Sequence, residues 1–273
     1  MSHTKPFLKW AGGKYRLLDK ILNTLPPGKR LIEPFGGSGA VFLNAKFDEF
    51  LISEANLDLV RLYQQLQQEG EAFIHYCASY FTPKNNQAHV YYKHRTLFNA
   101  CTDPRERAAL FLYLNRHGYN GLCRYNLSGK FNVPFGSYVR PYFPTLEMNH
   151  FYIKSQSAMF IHQDFRQTFA QLQQGDVIYC DPPYVKLSKT SSFTAYTGRH
   201  FSEEDQITLA QLAETASKNG NDVVISNHDT PFTRMHYQKS KISSFPVQRY
   251  ISCAAQGRNE PVQELIALFN RCE

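Results

Sequence analysis

No run of about 18 apolar residues occurs anywhere in the chain, so none of it reads as a membrane span. The opening residues, Met1-Ser2-His3-Thr4-Lys5-Pro6, lack the apolar stretch of a signal peptide, and the expected location is cytoplasmic. Cysteine is sparse and scattered. Cys77, Cys101, Cys123, Cys180, Cys253 and Cys272 form no C-x-x-C pair and have no histidine cluster beside them. That spacing argues against zinc and for reduced, mostly buried thiols, so no metal is expected. The H-x-E and P-C-x-x-C pattern of zinc deaminases is missing too. There is no complete phosphate loop. Gly12-Gly13-Lys14 invites that reading, but a Walker motif needs Gly at 8 and Ser or Thr at 15, where the chain has Leu8 and Tyr15. Internal repeats and low-complexity segments are absent as well.

What is present is an apolar fraction of 42%, enough for a real core, in 273 residues, which permits one large domain or a core with one insertion. The net charge is +7, which favours a polyanionic partner without naming one. Seventeen tyrosines and 21 phenylalanines supply rings that either fill a core or stack on bases.

The N-terminal third alternates helix and strand. Leu17, Leu18, Ile21, Leu22 and Leu25 lie at helical spacing, and Pro26-Pro27-Gly28 stops that helix. A strand at Arg30–Glu33 runs into Gly36-Gly37-Ser38-Gly39, a helix follows over Ala40–Ala45, and a strand over Glu49–Ser53 ends at Glu54. Leu57–Gln68 is helical again. Strand, glycine turn, helix, and a strand ending in an acid open a parallel nucleotide-binding sheet. Strands are expected again at Met159–His162, Asp176–Cys180 and Asp222–Ser226, with a helix from Ser202 to about Lys218. A terminal hairpin is expected from Val247–Ile251 and Val262–Phe269. Between them, Asp103-Pro104-Arg105-Glu106 starts a helix that runs to Asn115. The stretch Arg116–Pro144 is polar and aromatic, and a loop of that length is usually functional.

Asp181-Pro182-Pro183-Tyr184 follows an apolar strand, at the carboxyl edge where open α/β sheets bind ligands. Two prolines stiffen the turn and fix the Asp181 carboxylate relative to the Pro182 carbonyl. Methylation of an exocyclic amine would use such a pair. The amine lone pair is delocalised into the ring, and two acceptors on its hydrogens free it for attack on a sulfonium methyl. Tyr184 would offer a stacking face. A rigid turn with a capping Asp is the plainer alternative, and the tetrad does not separate adenine N6 from cytosine N4. Likewise, Phe35 to Gly39 with Glu54 suits a ribose-bearing ligand, but dinucleotides and adenosylmethionine share that spacing. Asn115–Asn126 carries Arg, Asn and Tyr in types able to read or wedge bases, or to form a solvated loop.

Together and in this order, these segments closely resemble the Dam family of DNA adenine methyltransferases, which modify adenine in GATC. The matching stretches are Phe7–Lys14, Glu33–Leu43, Phe111–Asn126, Asn132–Gly136, Val177–Tyr184, Phe193–Tyr196, Ile225–Asp229 and the hairpin with Glu264-Leu265. The resemblance implies a Rossmann-like S-adenosylmethionine-dependent α/β sheet with an inserted, mostly helical target-recognition domain. Residues 1–60 and 151–273 would be catalytic and 61–150 the insertion. It implies a cofactor pocket of Trp10, Lys14, Phe35, Glu54, Asp164, Phe165 and Asp181. Catalysis would fall to Asp181, Pro182 and Tyr184. Lys9 would read the first guanine, with Leu122 and Arg124 reading later base pairs. Tyr119 and Asn120 would fill the gap left by a flipped base, and Pro134 and Tyr138 complete the DNA contacts. Glu54 is one methylene longer than the family's usual Asp, and Ser137 stands where some relatives carry a basic residue. The partner would be double-stranded DNA containing GATC, the protein a monomer, and its roles mismatch-repair strand discrimination and control of replication and expression.

Overall fold

Successive residues on each strand alternate between the two faces of one sheet, as the pleat requires. The strands are β1 (Arg30–Glu33), β2 (Glu49–Glu54), β3 (Ala158–His162), β4 (Val177–Cys180), β5 (Asp222–His228), β6 (Lys241–Gln248) and β7 (Pro261–Phe269). Leu31, Phe50, Ile52, Val177, Tyr179 and Val224 enter one core, while Ile32, Leu51, Ile178, Cys180, Val223 and Ile225 enter the other. β4 and β5 are buried along their whole length, as strands covered on both faces must be. The computed structural model describes residues 3–185, 201–248 and 261–271. The matching stretch Phe193–Tyr196, the end of the expected strand at residues 249–251, and Cys253 and Cys272 lie outside them.

The strand order is β3-β2-β1-β4-β5-β7-β6, with β7 antiparallel to both of its neighbours and the remaining pairs parallel. The chain therefore starts in the middle and reverses direction between β1 and β4, which opens a crevice at their carboxyl ends. A bidentate pair, Arg30 Nε and Nη2 to Asp176 at 2.8 and 2.6 Å, fastens the opposite end of these strands. The expected α/β sheet is thus present. The terminal hairpin also forms, but its first strand is Lys241–Gln248 and begins six residues before the expected Val247. Its outward residues are polar serines and lysine, so apolar alternation does not mark its start.

The helices are α1 (Leu18–Thr24), α2 (Ala40–Asn44), α3 (Leu57–Glu69), α4 (Glu71–Ala78), α5 (Ala88–Ala100), α6 (Pro104–His117), α7 (Thr145–Ser155), α8 (Phe165–Phe169), α9 (Glu203–Lys218) and α10 (Pro231–His236). None of those described is long and apolar enough to cross a membrane. The caps follow the sequence. Asn56 caps α3 through the amides of Asp58 and Leu59, Asp103 caps α6 through Glu106 N at 2.7 Å, and Ser202 caps α9 in a reciprocal box with Asp205.

β2 and β3 are parallel neighbours, yet everything from α3 to α7 lies between them in sequence. A single helix normally makes that crossover. Here α3 and α7 touch the sheet, and α4, α5 and α6 stack beyond them. The expected domain boundaries at 60/61 and 150/151 fall inside α3 and α7. Phe7, Phe42, Tyr63, Phe151 and Phe160 on the sheet side share one core with Tyr91, Phe98, Phe111 and Tyr113 of the inserted helices.

Candidate active site

Asp181 ends β4 at the crevice. Lys14 Nζ lies 2.9 Å from its Oδ1 and 4.6 Å from the centroid of the Tyr184 ring, and donates to Gly12 O at 2.6 Å. One ammonium thus ties the N-terminal Gly-Gly-Lys turn to the tetrad. Burial raises the Asp181 carboxyl above the ordinary aspartate range, and Lys14 pulls it back down. Glu33 ends the adjacent β1. It is 2% exposed, and its Oε1 has no hydrogen-bond partner among the described residues. Burial, then the charge of Asp181, pushes the Glu33 carboxyl well above its usual value.

The glycine turn after β1 is shaped by its neighbours. Gly36 N donates to Ser53 O at 2.8 Å, and a Cβ on Gly36 would sit 2.5 Å from Ile52. Gly37 has φ +47° and lies under Trp10, whose Nε1 would be 3.3 Å from a Cβ there. Glu54 Oε2 accepts from Gly37 N, and its Oε1 from Asn56 N, both at 3.0 Å. The longer side chain thereby braces the turn. Burial raises its carboxyl, against the pull of those two amides. Phe35 stacks on Phe165 at 5.5 Å, and both meet Phe201 at 5.6 and 5.5 Å. Asp164 caps α8 and pairs with Arg166 at 3.1 Å. Phe35, Glu54, Asp164, Phe165 and Asp181 lie at the carboxyl ends of β1, β2, β3 and β4 or just beyond them, and the N-terminal segment before β1 brings Trp10 over Gly37 and Lys14 to Asp181. An aromatic slot, a carboxylate at a glycine cradle, and Asp181 at the far end fit a cationic nucleoside such as S-adenosylmethionine. Among the described residues no three His, Cys, Asp or Glu side chains are grouped to hold a metal ion.

Sequence reasoning gave no role to the residues that hold the tetrad from behind. Tyr184 meets His228 edge-on at 4.8 Å and its hydroxyl reaches Glu264 at 3.4 Å. Gln206, Asn227 and His228 bond the backbone of residues 183–185. β5 proves two residues longer than expected, and Asn227-His228 are the added pair. Polar residues closing a buried apolar strand, the signal that flagged Glu54 on β2, would have found them.

The second cluster lies where the N-terminal turn meets the segment after α6. Asn115, buried, takes Lys9 N at 3.0 Å and donates to Lys9 O at 2.7 Å and Gly121 O at 3.2 Å. Gly121, φ +63°, must be glycine, because a Cβ would fall 2.3 Å from Lys9 Cβ. Lys9 Nζ stands 4.0 Å over the Tyr138 ring, and burial, then Arg116, lowers its pKa. Tyr119 is 51% exposed, and Asn120 beside it has φ +54°. Leu122 and Pro134 flank the same ridge, since Tyr119 N bonds Pro134 O at 2.9 Å and Leu122 N bonds Tyr119 O at 3.1 Å. Arg124 donates from Nε and Nη2 to Asn132 at 2.7 and 3.2 Å. Ser137 has φ +52°. The expected loop is therefore ordered by a 3-10 turn at Tyr119–Gly121 and two isolated bridges, and α6 extends two residues into it.

Comparison with known proteins agrees with this geometry. A model of the D12 class N6 adenine-specific DNA methyltransferases matches residues 10–251. The DNA adenine methylase of Salmonella typhi is 49% identical over 98% of this chain and 96% of that protein. Those of Vibrio cholerae serotype O1 and Escherichia coli K12 are 48% and 47% identical, again over 98% of this chain and 97% and 96% of theirs. A solved putative RNA methyltransferase from Pyrococcus horikoshii is more distant, with a TM-score of 0.38 at 9% identity over 100% of this chain and 93% of that one. An acidic, proline-stiffened turn at the reversal of a seven-stranded sheet and full-length identity near one half lead to one conclusion: the chain belongs to the D12 class N6 adenine-specific DNA methyltransferases.

Proposed function

We propose that this protein methylates N6 of a flipped-out adenine within GATC in duplex DNA, acting as a monomer in the cytoplasm on the host's DNA. The observation that carries the reading is the Lys14–Asp181–Tyr184 cluster at the carboxyl end of β4. Bound S-adenosylmethionine would supply an electrophilic sulfonium methyl. Trp10 and Phe35 would bracket its adenosyl part, with Asp164 and Phe165 at the adenine. Glu54 would offer the ribose its remaining lone pairs, and Lys14 with Asp181 the methionyl end. The Asp181 carboxylate and the Pro182 carbonyl would accept the two N6 hydrogens and pull the nitrogen toward a tetrahedral shape, freeing its lone pair. Tyr184 would stack on the extruded base.

Residues 61–150 are assigned to target recognition. Lys9 and Tyr138 would address the first guanine, while Leu122, Pro134 and Arg124 would span the later pairs. The exposed Tyr119 and the left-handed Asn120 would occupy the space the base vacates. In a cell such marking would serve mismatch-repair strand discrimination and the timing of replication and expression. The test is Asp181→Ala. Turnover is expected to fall to background while binding to a GATC duplex stays within about tenfold, a 1.4 kcal/mol margin. Near-normal turnover would remove Asp181 from the mechanism. Loss of specific binding along with turnover would make it structural.

A further inference from the structure

A tetrad can position an amine only if its own backbone is held, and two prolines leave it few hydrogen-bond donors. Pro182 and Pro183 have no N–H, so the peptide units of the turn cannot tie themselves into a ladder. The missing bonds come from two other elements. Gln206, in the first turns of α9 and 4% exposed, donates from Nε2 to Pro183 O at 2.6 Å. Its Oε1 accepts from Asn227 Nδ2 at 3.0 Å. Asn227, at the carboxyl end of β5 and 0% exposed, also donates to Tyr237 Oη at 3.0 Å. Its Oδ1 accepts from Val185 N at 3.2 Å and from His228 N at 2.9 Å. His228 Nδ1 then donates to Val185 O at 2.6 Å.

Every donor and acceptor of the Asn227 amide is used, and the network grips residues 183 and 185 on either side of Tyr184. Buried and fully satisfied networks of this kind are rigid, whereas half-satisfied ones are costly. The Pro183 carbonyl is turned toward Gln206, so it does not compete with that of Pro182 for the target amine. We infer that Gln206 and Asn227 are positioning residues for methyl transfer, fixing the angle between the Asp181 carboxylate, the Pro182 carbonyl and the Tyr184 ring. This rests on the function proposed above. Neither side chain touches the reacting atoms. Their contribution is to hold in place groups that a shift of about 1 Å would disable.

Gln206→Met keeps the length of the side chain and removes both of its bonds. Transfer is measured in a single turnover at saturating S-adenosylmethionine on a duplex with one GATC, and expressed per cofactor-binding site so that misfolded protein does not count. The rate is expected to fall on the order of 10²-fold, while the Kd values for cofactor and duplex stay within about threefold. Tyr237→Phe removes a partner of Asn227 without touching the turn, and should cost less than about threefold. A Gln206→Met rate within twofold of the unsubstituted chain overturns the clamp, and so do Kd losses as large as the rate loss. An unsubstituted chain that transfers nothing to adenine overturns the function on which the clamp rests; an active one with an equally active Gln206→Met overturns the clamp alone.

Discussion

Two carboxyls at the crevice differ in what surrounds them. Buried oxygens of both lack a hydrogen-bond partner among the described residues, but Asp181 has the Lys14 ammonium 2.9 Å away as an ion-pair partner, whereas Glu33 has a negative neighbour. Glu33 therefore binds its proton more tightly in the folded chain than in the unfolded one. Its contribution to stability is complete below the unfolded value, about 4.3, and is lost as pH rises through the raised folded value. Glu33→Gln removes that loss. As pH rises above the unfolded value of about 4.3, the melting temperature of the variant should gain on the unsubstituted protein by roughly 2–4 °C per kcal/mol of relieved penalty. A difference independent of pH would show that Glu33 is not the titrating group. Arg124 illustrates a different residue-scale device. Asn132 occupies its Nε and one Nη2 hydrogen, and the proposed reading gives the outer fork of the guanidinium to a base edge. Arg124→Ala should cost about 1–3 kcal/mol of discrimination at one base pair, read as the ratio of kcat/KM on cognate and singly altered sites. Equal loss on every sequence would make Arg124 a phosphate contact instead.

At the scale of elements, the ridge proposed to read DNA is held by a helix acting as a strand would. On α5, Tyr91, Arg95 and Asn99 lie four residues apart and so face one way. Tyr91 Oη and Arg95 Nη1 donate to Val133 O at 3.0 and 2.9 Å, and Asn99 takes Phe131 N at 2.8 Å and gives to Phe131 O at 3.1 Å. Asn99→Ala is expected to lower discrimination between GATC and near-cognate sites about tenfold, near 1.4 kcal/mol, with cofactor affinity unchanged. Unaltered discrimination would mean the ridge is held without α5. Such pairings explain what the sequence could and could not disclose. β1, β2, β4, β5 and their glycine turn were legible because apolar runs closed by Gly or an acid have a direct physical cause. The start of β6 was hidden, since Lys241, Ser243 and Ser244 put exposed polar residues on both of its faces in place of apolar alternation. The lines Gln206–Asn227 and Asn99–Phe131 were not legible, because each joins residues that only the folded topology brings together.

For the whole molecule, the sheet and the inserted helices share a core, and the proposed cofactor side is bonded directly to the proposed recognition side. Glu54 braces Asn56. Asn56 Nδ2 reaches Cys123 Sγ at 3.4 Å, and Asp58 takes Tyr125 Oη and Arg107 Nε, both at 2.6 Å. The chemistry proposed at Asp181 and the address proposed near Arg124 are thus parts of one packed body, and a net charge of +7 favours its approach to DNA. The most direct test follows labelled methyl from S-adenosylmethionine in single turnovers on matched duplexes. One carries GATC, one has its bases scrambled, and one has that adenine already N6-methylated. One methyl per GATC adenine, located at N6, and none on the other two is the predicted result. Equal transfer to the scrambled duplex, or label on cytosine N4, would contradict it.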